Sequence, residues 1–304
     1  GHLIKNIRQI RPDIVHGQYV TPGVVSIVAT RRAGVKNILA TVHYSGRQHG
    51  WKAKLLLRSG ASLCKAFFCV SKAVEKSWFG DSAMFDHQLA TTGRKHFTIY
   101  NSIDKAVIES GIQNSDLLNL DKNHPIIGVV GRLSREKGHR FLVRAMGDIV
   151  KQIPDIKLVV VGEGSEGEAL LREAESLNIN NSIIWLGKKD YPETLAIISV
   201  FDLLVVPSLS EGFGLVAVEA MASSTPVVAS GVDGLMEVIQ DGETGWFVTP
   251  GDVSELAEKV VWAVKNKQKR KQIAESGLKQ AKERFSLERY EKVILRAYNT
   301  FGPI

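Results

Sequence analysis

Two acidic residues, Glu211 and Glu219, lie eight positions apart in the second half of the chain and flank the glycine pair Gly212 and Gly214. The pair follows an apolar run and precedes a predicted helix that begins near Leu215. The first N–H groups of a helix and the positive end of its dipole bind anions such as pyrophosphate. The two carboxylates can accept hydrogen bonds from hydroxyls elsewhere on the same ligand. This pattern predicts a site for an elongated ligand that carries both phosphate and hydroxyl groups.

A second group of polar residues, 131–138, follows the predicted strand at 125–130. The guanidinium of Arg132 can bind phosphate oxygens through its fork, and Lys137 can add a point charge. The carboxyl ends of parallel strands share one edge of a sheet, where ligands bind. We therefore expect Arg132 and Lys137 to lie beside the acidic loop and to neutralise a diphosphate.

Short apolar runs alternate with longer amphipathic segments along the whole chain, a pattern that predicts βα units and a parallel sheet. We predict an N-terminal domain over 1–120, a C-terminal domain over 121–285 and a final helix over 286–304 that packs back toward the N-terminal domain. The polar segment 101–124 marks the join. The predicted strands are 13–16, 38–43, 66–70, 97–100, 125–130, 156–161, 182–186, 203–206, 226–229 and 246–248.

Length and composition exclude several classes of protein. A chain of 304 residues with 44% apolar and 23% charged residues has the composition of a packed globular protein, so disorder, collagen and coiled coils are excluded. Cys64 and Cys69 have neither the number nor the spacing of a disulfide framework or a zinc site. The sequence contains no run of eighteen apolar residues that would span a membrane.

The motifs resemble those of the retaining glycosyltransferases of family GT4, also called group 1, which have the GT-B fold. The acidic pair matches the family's EX7E motif, and the basic loop matches its Gly-Arg-Leu and Lys-Gly pattern. Further segments match in order along the chain: 101–104, 161–164, 185–187 and 241–248. The resemblance implies two Rossmann-like, doubly wound domains that face a cleft. Family members begin with a strand and a Gly-rich loop, so we expect an N-terminal domain that lacks its first strand, loop and helix.

The resemblance also implies a role for each residue of the motifs. Arg132 and Lys137 would hold the donor diphosphate and stabilise the departing nucleoside diphosphate, while Glu211 would contact the transferred sugar. Glu219 would accept hydrogen bonds from ribose. The complete implied donor-binding set is Gly131, Arg132, Lys137, Gly187, Lys188, Glu211, Gly212, Phe213, Gly214, Leu215 and Glu219. Gly187 and Lys188 would lie near the base.

Two histidines follow predicted strands of the first half. His43 matches the family histidine that faces the donor, so the catalytic set implied by the resemblance is His43, Arg132, Lys137 and Glu211. His16 is predicted to pack against its strand or to cap it. No metal and no cofactor are expected, because two cationic side chains can do the work of a divalent ion and the sequence contains no Asp-x-Asp motif.

Charge is unevenly distributed along the chain. Residues 1–122 contain 17 basic and 8 acidic residues, whereas the remainder contains 22 and 24. This asymmetry favours an anionic membrane surface as a partner over nucleic acid, because no nucleic-acid-binding module is present. The expected partners are a nucleotide-sugar donor and a saccharide or lipid-linked acceptor. The expected location is the cytoplasm, with possible peripheral contact at the inner face of the cell membrane.

The predicted function is the transfer of a hexose from a UDP- or GDP-sugar to a hydroxyl acceptor, in the synthesis of cell-envelope polysaccharide or lipopolysaccharide. Two alternatives share the fold: a nucleotide-sugar-binding fragment without turnover, which a shortened N-terminal domain would favour, and a nucleotide-sugar epimerase. An NAD-dependent oxidoreductase is disfavoured because Gly162-Glu163-Gly164 lacks the third glycine of the dinucleotide fingerprint at the required position.

Overall fold

The computed structural model of the protein describes residues 2–18, 24–113 and 123–302. The chain divides into two compact units, one formed by residues 1–101 with 288–304 and the other by residues 102–287. Each unit is an α/β structure built on a parallel sheet, as the alternation of apolar runs and amphipathic segments predicts. Within the described ranges, no helix is both long enough and apolar enough to cross a lipid bilayer.

The first unit contains a four-stranded parallel sheet whose strands follow one another in chain order. Its described strands are β1 (Ile14–Gly17), β2 (Asn37–Val42), β3 (Ala66–Cys69) and β4 (His96–Thr98). Every residue of β3 is buried, as in a strand that lies between helices on both faces of a sheet. Its described helices are α1 (His2–Ile10), α2 (Val25–Arg32), α3 (Trp51–Ser62), α4 (Lys72–Phe79) and α5 (His87–Thr91).

The second unit contains a six-stranded parallel sheet in the order β10-β9-β8-β5-β6-β7. This is the doubly wound order, and it reverses direction between β5 and β8. The strands are β5 (Ile126–Val130), β6 (Lys157–Val161), β7 (Ile183–Gly187), β8 (Leu203–Val206), β9 (Val227–Ser230) and β10 (Trp246–Val248). All ten predicted strands are present in the two sheets, with ends that differ by at most two residues.

Helices cover both faces of the second sheet. They are α6 (Lys105–Gln113), α7 (His139–Gln152), α8 (Gly167–Ser176), α9 (Tyr191–Ser199), α10 (Leu215–Ala222), α11 (Leu235–Val238), α12 (Val253–Lys265) and α13 (Lys267–Arg284). Leu142 and Met146 of α7 and Val260 of α12 belong to one buried apolar cluster with the sheet. Gly128 of β5 leaves room for a ring, since a Cβ there would lie 1.9 Å from the Phe201 side chain.

The division between the units differs from the predicted boundary near residue 121 and falls between Asn101 and Ser102. The physical reason is the packing of α6, which contacts α9 and α10 of the second unit. Residues 114–122, part of the predicted join, lie outside the described residues. The final helix α14 (Leu287–Phe301) places Ala297 and Tyr298 in the apolar cluster of the first sheet.

A partly buried ion pair holds α13 against the second sheet. Asp202, which precedes β8, accepts hydrogen bonds from the Ile126 amide at 3.0 Å and from Arg270 Nη2 at 2.7 Å. Arg270 also donates to the carbonyl oxygens of Ala263 and Val264 at the end of α12. One guanidinium therefore connects the sheet edge with two helices.

We expect Arg270→Ala to lower the free energy of unfolding by about 2 kcal/mol, because it removes the donor to one oxygen of the Asp202 carboxylate and to two carbonyl groups. Chemical denaturation monitored by circular dichroism measures the change. The control is Lys271→Ala, at an exposed side chain whose pair with Glu275 spans 3.9 Å; its effect should stay below about 0.5 kcal/mol. Equal effects of the two substitutions would contradict a structural role for Arg270.

Candidate active site

Two loops of the second unit emerge on either side of the point where the strand order reverses. One loop, 131–138, follows β5, and the other, 207–214, follows β8. The two strands are neighbours in the sheet, with Ile127 paired to Leu203. In doubly wound sheets, ligands bind in the crevice at this position. The fold thus brings together the two loops that the sequence singled out separately.

The backbones of these loops are in direct contact. The Leu209 amide donates to the Glu136 carbonyl at 2.8 Å. Gly138 has a φ of +69°, and a Cβ at this position would lie 1.9 Å from the Pro207 carbonyl oxygen. Only glycine meets both demands, a left-handed backbone and a backbone neighbour at contact distance. The glycine of the Lys-Gly pair in the basic loop is therefore required by the packing of the two loops.

This contact places Lys137 beside Glu211. Lys137 Nζ donates to Glu211 Oε2 at 2.7 Å, and the same oxygen accepts from Ser208 Oγ at 3.2 Å. The Glu211 side chain is only 13% exposed, and that of Lys137 is 30% exposed. The sequence predicted that these two residues would share a site, and in the structure each is the other's partner. A ligand with phosphate and hydroxyl groups would separate this pair: Lys137 would then contact a phosphate, and Glu211 would contact a hydroxyl.

Arg132 lines a cavity of about 590 Å³ at the carboxyl ends of β5, β6 and β7. Gly131, Gly162 and Lys188 also line it. A Cβ at Gly162 would lie 1.9 Å from the Gly131 carbonyl oxygen, so the two strand ends are held close together. The cavity extends from the loop after β5 to Lys188, one of the two residues that the sequence analysis expects near the base.

Gly214 begins α10 in a left-handed conformation with a φ of +94° and provides no side-chain cap. In the described part of the chain, the amides of Leu215 and Val216 donate to no protein group. Phe213 is buried with its ring edge-on to Phe285, at 5.5 Å between centroids. Its side chain therefore belongs to the core, and the amides of Leu215 and Val216 are the groups that a ligand could contact.

Glu219 is nine-tenths buried in α10, just over one turn from the helix start. Burial raises the pKa of its carboxyl to about 7, and a hydrogen bond from Tyr191 partly opposes that rise. Burial, followed by the charge of Glu219, raises the pKa of Tyr191 as well. A carboxylate kept largely from water is suited to accept hydrogen bonds from a ligand that covers it.

His43 lies in the first unit, at the end of β2, so it belongs to a different unit from the residues above. Its Nε2 is 3.2 Å from Gln18 Oε1, and Gln18 Nε2 is 3.3 Å from His16 Nε2. Burial lowers the pKa of His43, and burial together with the His43 charge lowers the pKa of His16 to about 4. Both imidazoles are therefore neutral at pH 7. His16 also contacts Thr41 and Tyr298, as expected for a packing residue.

Three polar residues around the site were not predicted from the sequence. Ser208 binds Glu211, and its position three residues earlier in the same loop is a local signal that was available. Tyr191, which lowers the pKa of Glu219 against the effect of burial, is 28 residues away in sequence, so no local pattern indicates it. His139, next to the essential Gly138, is 3% exposed, and neither ring nitrogen has a partner in the described structure. Burial and the Lys137 charge lower the pKa of His139 to about 4.

In the described ranges, one group of residues has the composition of a metal site. Ligand atoms of Glu75, Asp81 and His96 lie within 4.8 Å of one another in the first unit. Arg94 donates to Glu75 at 2.8 Å and to Asp81 at 3.0 Å, so a cation already neutralises the carboxylates. Thr98 Oγ1 also donates to Glu75. This group is an ion-pair network that joins α4 to β4.

Both halves of the chain match models of known protein families. Residues 113–280 match the model of the family described as glycosyl transferases group 1, and residues 1–80 match that of glycosyltransferase family 4. An uncharacterized glycosyltransferase of Methanocaldococcus jannaschii is 29% identical over 94% of this chain and 75% of its own length. The N-acetyl-alpha-D-glucosaminyl L-malate synthase of Bacillus anthracis is 29% identical over 68% of this chain and 54% of its own. The chain thus spans about half the length of several curated relatives.

Solved structures show the same fold. The Anabaena protein HepE, crystallised with UDP, has a TM-score of 0.80 at 23% identity over 98% of this chain and 81% of its own. Sucrose-phosphate synthase from Thermosynechococcus elongatus has a TM-score of 0.82 at 23% identity, over 97% and 75% of the two chains. The predicted GT-B fold, with two parallel-sheet domains, is confirmed.

We expect Glu219→Gln to be more stable than the wild type at pH 8 and not at pH 4. The folded-state pKa of about 7 lies above the ordinary value of 4.5. The folded state therefore holds the extra proton between these values, and the stability contributed by Glu219 falls as pH rises through this window. The difference between variant and wild type should grow by about 3 kcal/mol across it.

Denaturation of both proteins at several pH values measures this difference. His16 and His139 titrate in both proteins, so their contributions cancel in the comparison. The control, Glu275→Gln, removes a carboxylate from an exposed side chain, and its difference from the wild type should be independent of pH. If the stability difference between Glu219→Gln and the wild type does not depend on pH, burial does not raise the pKa of the Glu219 carboxyl.

Proposed function

Since the chain belongs to the glycosyl transferases group 1 family, we propose that it transfers a hexose from a UDP- or GDP-sugar to a hydroxyl acceptor with retention of the anomeric configuration. The acceptor would be a saccharide or lipid-linked intermediate of cell-envelope polysaccharide or lipopolysaccharide. One observation carries the proposal: Lys137 and Glu211 meet at the point where the second sheet reverses its strand order.

The donor diphosphate would bind between the two loops of the second unit. Arg132 and Lys137 supply the positive charge, and the first amides of α10 supply hydrogen-bond donors that no side chain caps. The nucleoside would extend into the cavity beside Gly187 and Lys188, with the ribose hydroxyls on Glu219. Support comes from HepE, which has the same fold and was crystallised with UDP and with UDP-glucose.

Binding of the donor would open the pair between Lys137 and Glu211. Lys137 would turn to the phosphate next to the sugar, and Glu211 would accept from the sugar hydroxyls. The bond between the anomeric carbon and the diphosphate oxygen then breaks, and a bond to the acceptor oxygen forms on the same face. The acceptor proton leaves with the nucleoside diphosphate. Arg132 and Lys137 stabilise the charge that develops on the leaving group, so no side-chain nucleophile is needed.

His43 would contact the transferred sugar and orient the attacking hydroxyl. Its pKa is lowered by burial, so the imidazole is neutral at pH 7 and can both donate and accept a hydrogen bond. We propose a reaction without a metal ion, because the side chains of Arg132 and Lys137 supply the positive charge that a divalent cation would otherwise bring to the diphosphate.

We expect Lys137→Ala and Glu211→Gln to reduce transfer strongly, for different reasons. Lys137→Ala removes a charge-assisted contact to phosphate and should weaken UDP binding at least tenfold. Glu211→Gln keeps a neutral hydrogen-bonding group and should retain UDP binding, with turnover reduced about 10²- to 10³-fold. Isothermal titration with UDP and GDP, together with a transfer assay, separates the two effects.

The control for these variants is Lys151→Ala. Lys151 is a 74% exposed lysine on α7 whose partner is Asp148, and its replacement should change neither binding nor turnover. Wild-type turnover in Lys137→Ala or in Glu211→Gln would reject the proposed site. An epimer of the nucleotide-sugar, formed in the absence of an acceptor, would identify an epimerase instead.

A panel of nucleotides tests the class of donor. UDP or GDP should raise the melting temperature, because a ligand that binds only the folded state stabilises it by about 2.7 kcal/mol at one hundred times its Kd. ADP and NAD should give smaller shifts at equal concentration. A shift with NAD alone would contradict the proposal and favour an oxidoreductase, and binding of UDP or GDP without turnover by any donor and acceptor would indicate a binding module.

A further inference from the structure

Helix α3 of the first unit displays large apolar side chains to solvent. Trp51 is 70% exposed, Leu55 58% and Leu56 48%, and Leu63, directly after the helix, is 39% exposed. Positions 51 and 55, like 52 and 56, are one helical turn apart, so these side chains form one continuous surface. Three large exposed apolar side chains on one short helix, with a fourth directly after it, indicate a surface that binds an apolar partner.

The opposite side of α3 is fixed to the first unit. Leu57 and Ala61 are buried, and Gly60 lies so close to the Val24 side chain that a Cβ would be 2.1 Å away. Arg58 Nε donates to the Trp78 carbonyl oxygen at 2.6 Å. The helix is therefore a rigid part of its unit, and its outer face is presented without a folding step.

The sequence segment that contains α3 carries charge of one sign. Between Asp13 and Glu75 the sequence contains nine lysine and arginine residues and no acidic residue. Three of these basic residues, Lys52, Lys54 and Arg58, are in α3, and in the described part of the chain none of them forms an ion pair. Lys52 Nζ lies 5.7 Å from the centre of the Trp51 ring, so basic and apolar groups alternate on one surface.

We propose that the outer face of α3, defined by Trp51, Leu55, Leu56 and Lys52, binds an anionic lipid bilayer. Apolar side chains would enter the boundary between headgroups and acyl chains, while lysines contact anionic headgroups. The helix has 12 residues, about 18 Å, so it lies in the interface and does not span the bilayer. A second copy of this face fits less well, because two surfaces of the same positive sign repel.

The position of α3 connects this surface with the reaction. The helix begins eight residues after His43, in the same unit. Contact through α3 would keep this unit at the membrane, where an acceptor with a lipid anchor is held. This last step rests on the proposed function, whereas binding of the bilayer itself does not.

Flotation with vesicles of phosphatidylglycerol and phosphatidylcholine (30:70), and of phosphatidylcholine alone, tests the surface. The wild type should float with the anionic vesicles and much less with the neutral ones, and 0.5 M NaCl should reduce binding. Leu55→Gln/Leu56→Gln and Lys52→Glu/Lys54→Glu should each weaken binding at least tenfold. The blue shift of tryptophan fluorescence on addition of vesicles should be lost in Trp51→Phe.

Matched controls come from the same classes of residue. Leu295→Gln, at a 56% exposed leucine of α14, and Lys271→Glu, at an exposed lysine of α13, should bind vesicles like the wild type. Circular dichroism and thermal melting confirm that each variant is folded. Equal binding by the α3 variants and the wild type, or no wild-type binding, would overturn the proposal. A wild-type dimer in light scattering that Leu55→Gln/Leu56→Gln converts to a monomer would assign the face to a second copy.

The two proposals fail separately in one further comparison. Leu55→Gln/Leu56→Gln should lose vesicle binding and keep UDP binding, whereas Lys137→Ala should lose UDP binding and keep vesicle binding. If Leu55→Gln/Leu56→Gln alone fails to behave as expected, the proposed membrane surface is wrong. If Lys137→Ala alone fails to do so, the proposed donor site is wrong.

Discussion

The site depends on one close approach between two stretches of backbone. Gly138 lies against the Pro207 carbonyl oxygen, and the neighbouring amide of Leu209 donates to Glu136. The absence of a Cβ allows this distance, and the left-handed φ of Gly138 directs the chain from the basic loop into α7. With the loops so joined, a cation from one and a carboxylate from the other are 2.7 Å apart. The contact between the two backbones therefore brings these side chains within reach of each other.

A site of this kind is stable without ligand because its charges neutralise one another, yet it retains groups that the protein alone satisfies poorly. Glu219 is buried enough to raise the pKa of its carboxyl to about 7, and both ring nitrogens of His139 lack a partner in the described structure. The first amides of α10 have no side-chain cap. Such groups cost stability in the empty protein, and a ligand with hydroxyl and phosphate groups would offset that cost.

The two units differ in the kind of surface that they offer. The second unit carries mixed charges and a cavity at the carboxyl ends of its strands. The first unit carries a long segment without acidic residues and a helix whose outer face is apolar and basic. This division explains why the overall charge of the sequence was informative: the positive excess is concentrated in one unit and next to an apolar surface. Scattered over both units, the same charge would favour solubility alone.

The sequence by itself determined all ten strands, the two α/β units, the final helix and the two loops of the site. The reason is that the spacing of apolar residues and the glycines at strand ends are local signals. It could not determine that α6 belongs to the second unit, since that depends on packing against α9. Nor could it pair Lys137 with Glu211 or Tyr191 with Glu219, which are 74 and 28 residues apart. The apolar face of α3 was also hidden, because a sequence gives the period of a helix but not which side is covered. Only tertiary packing decides these contacts.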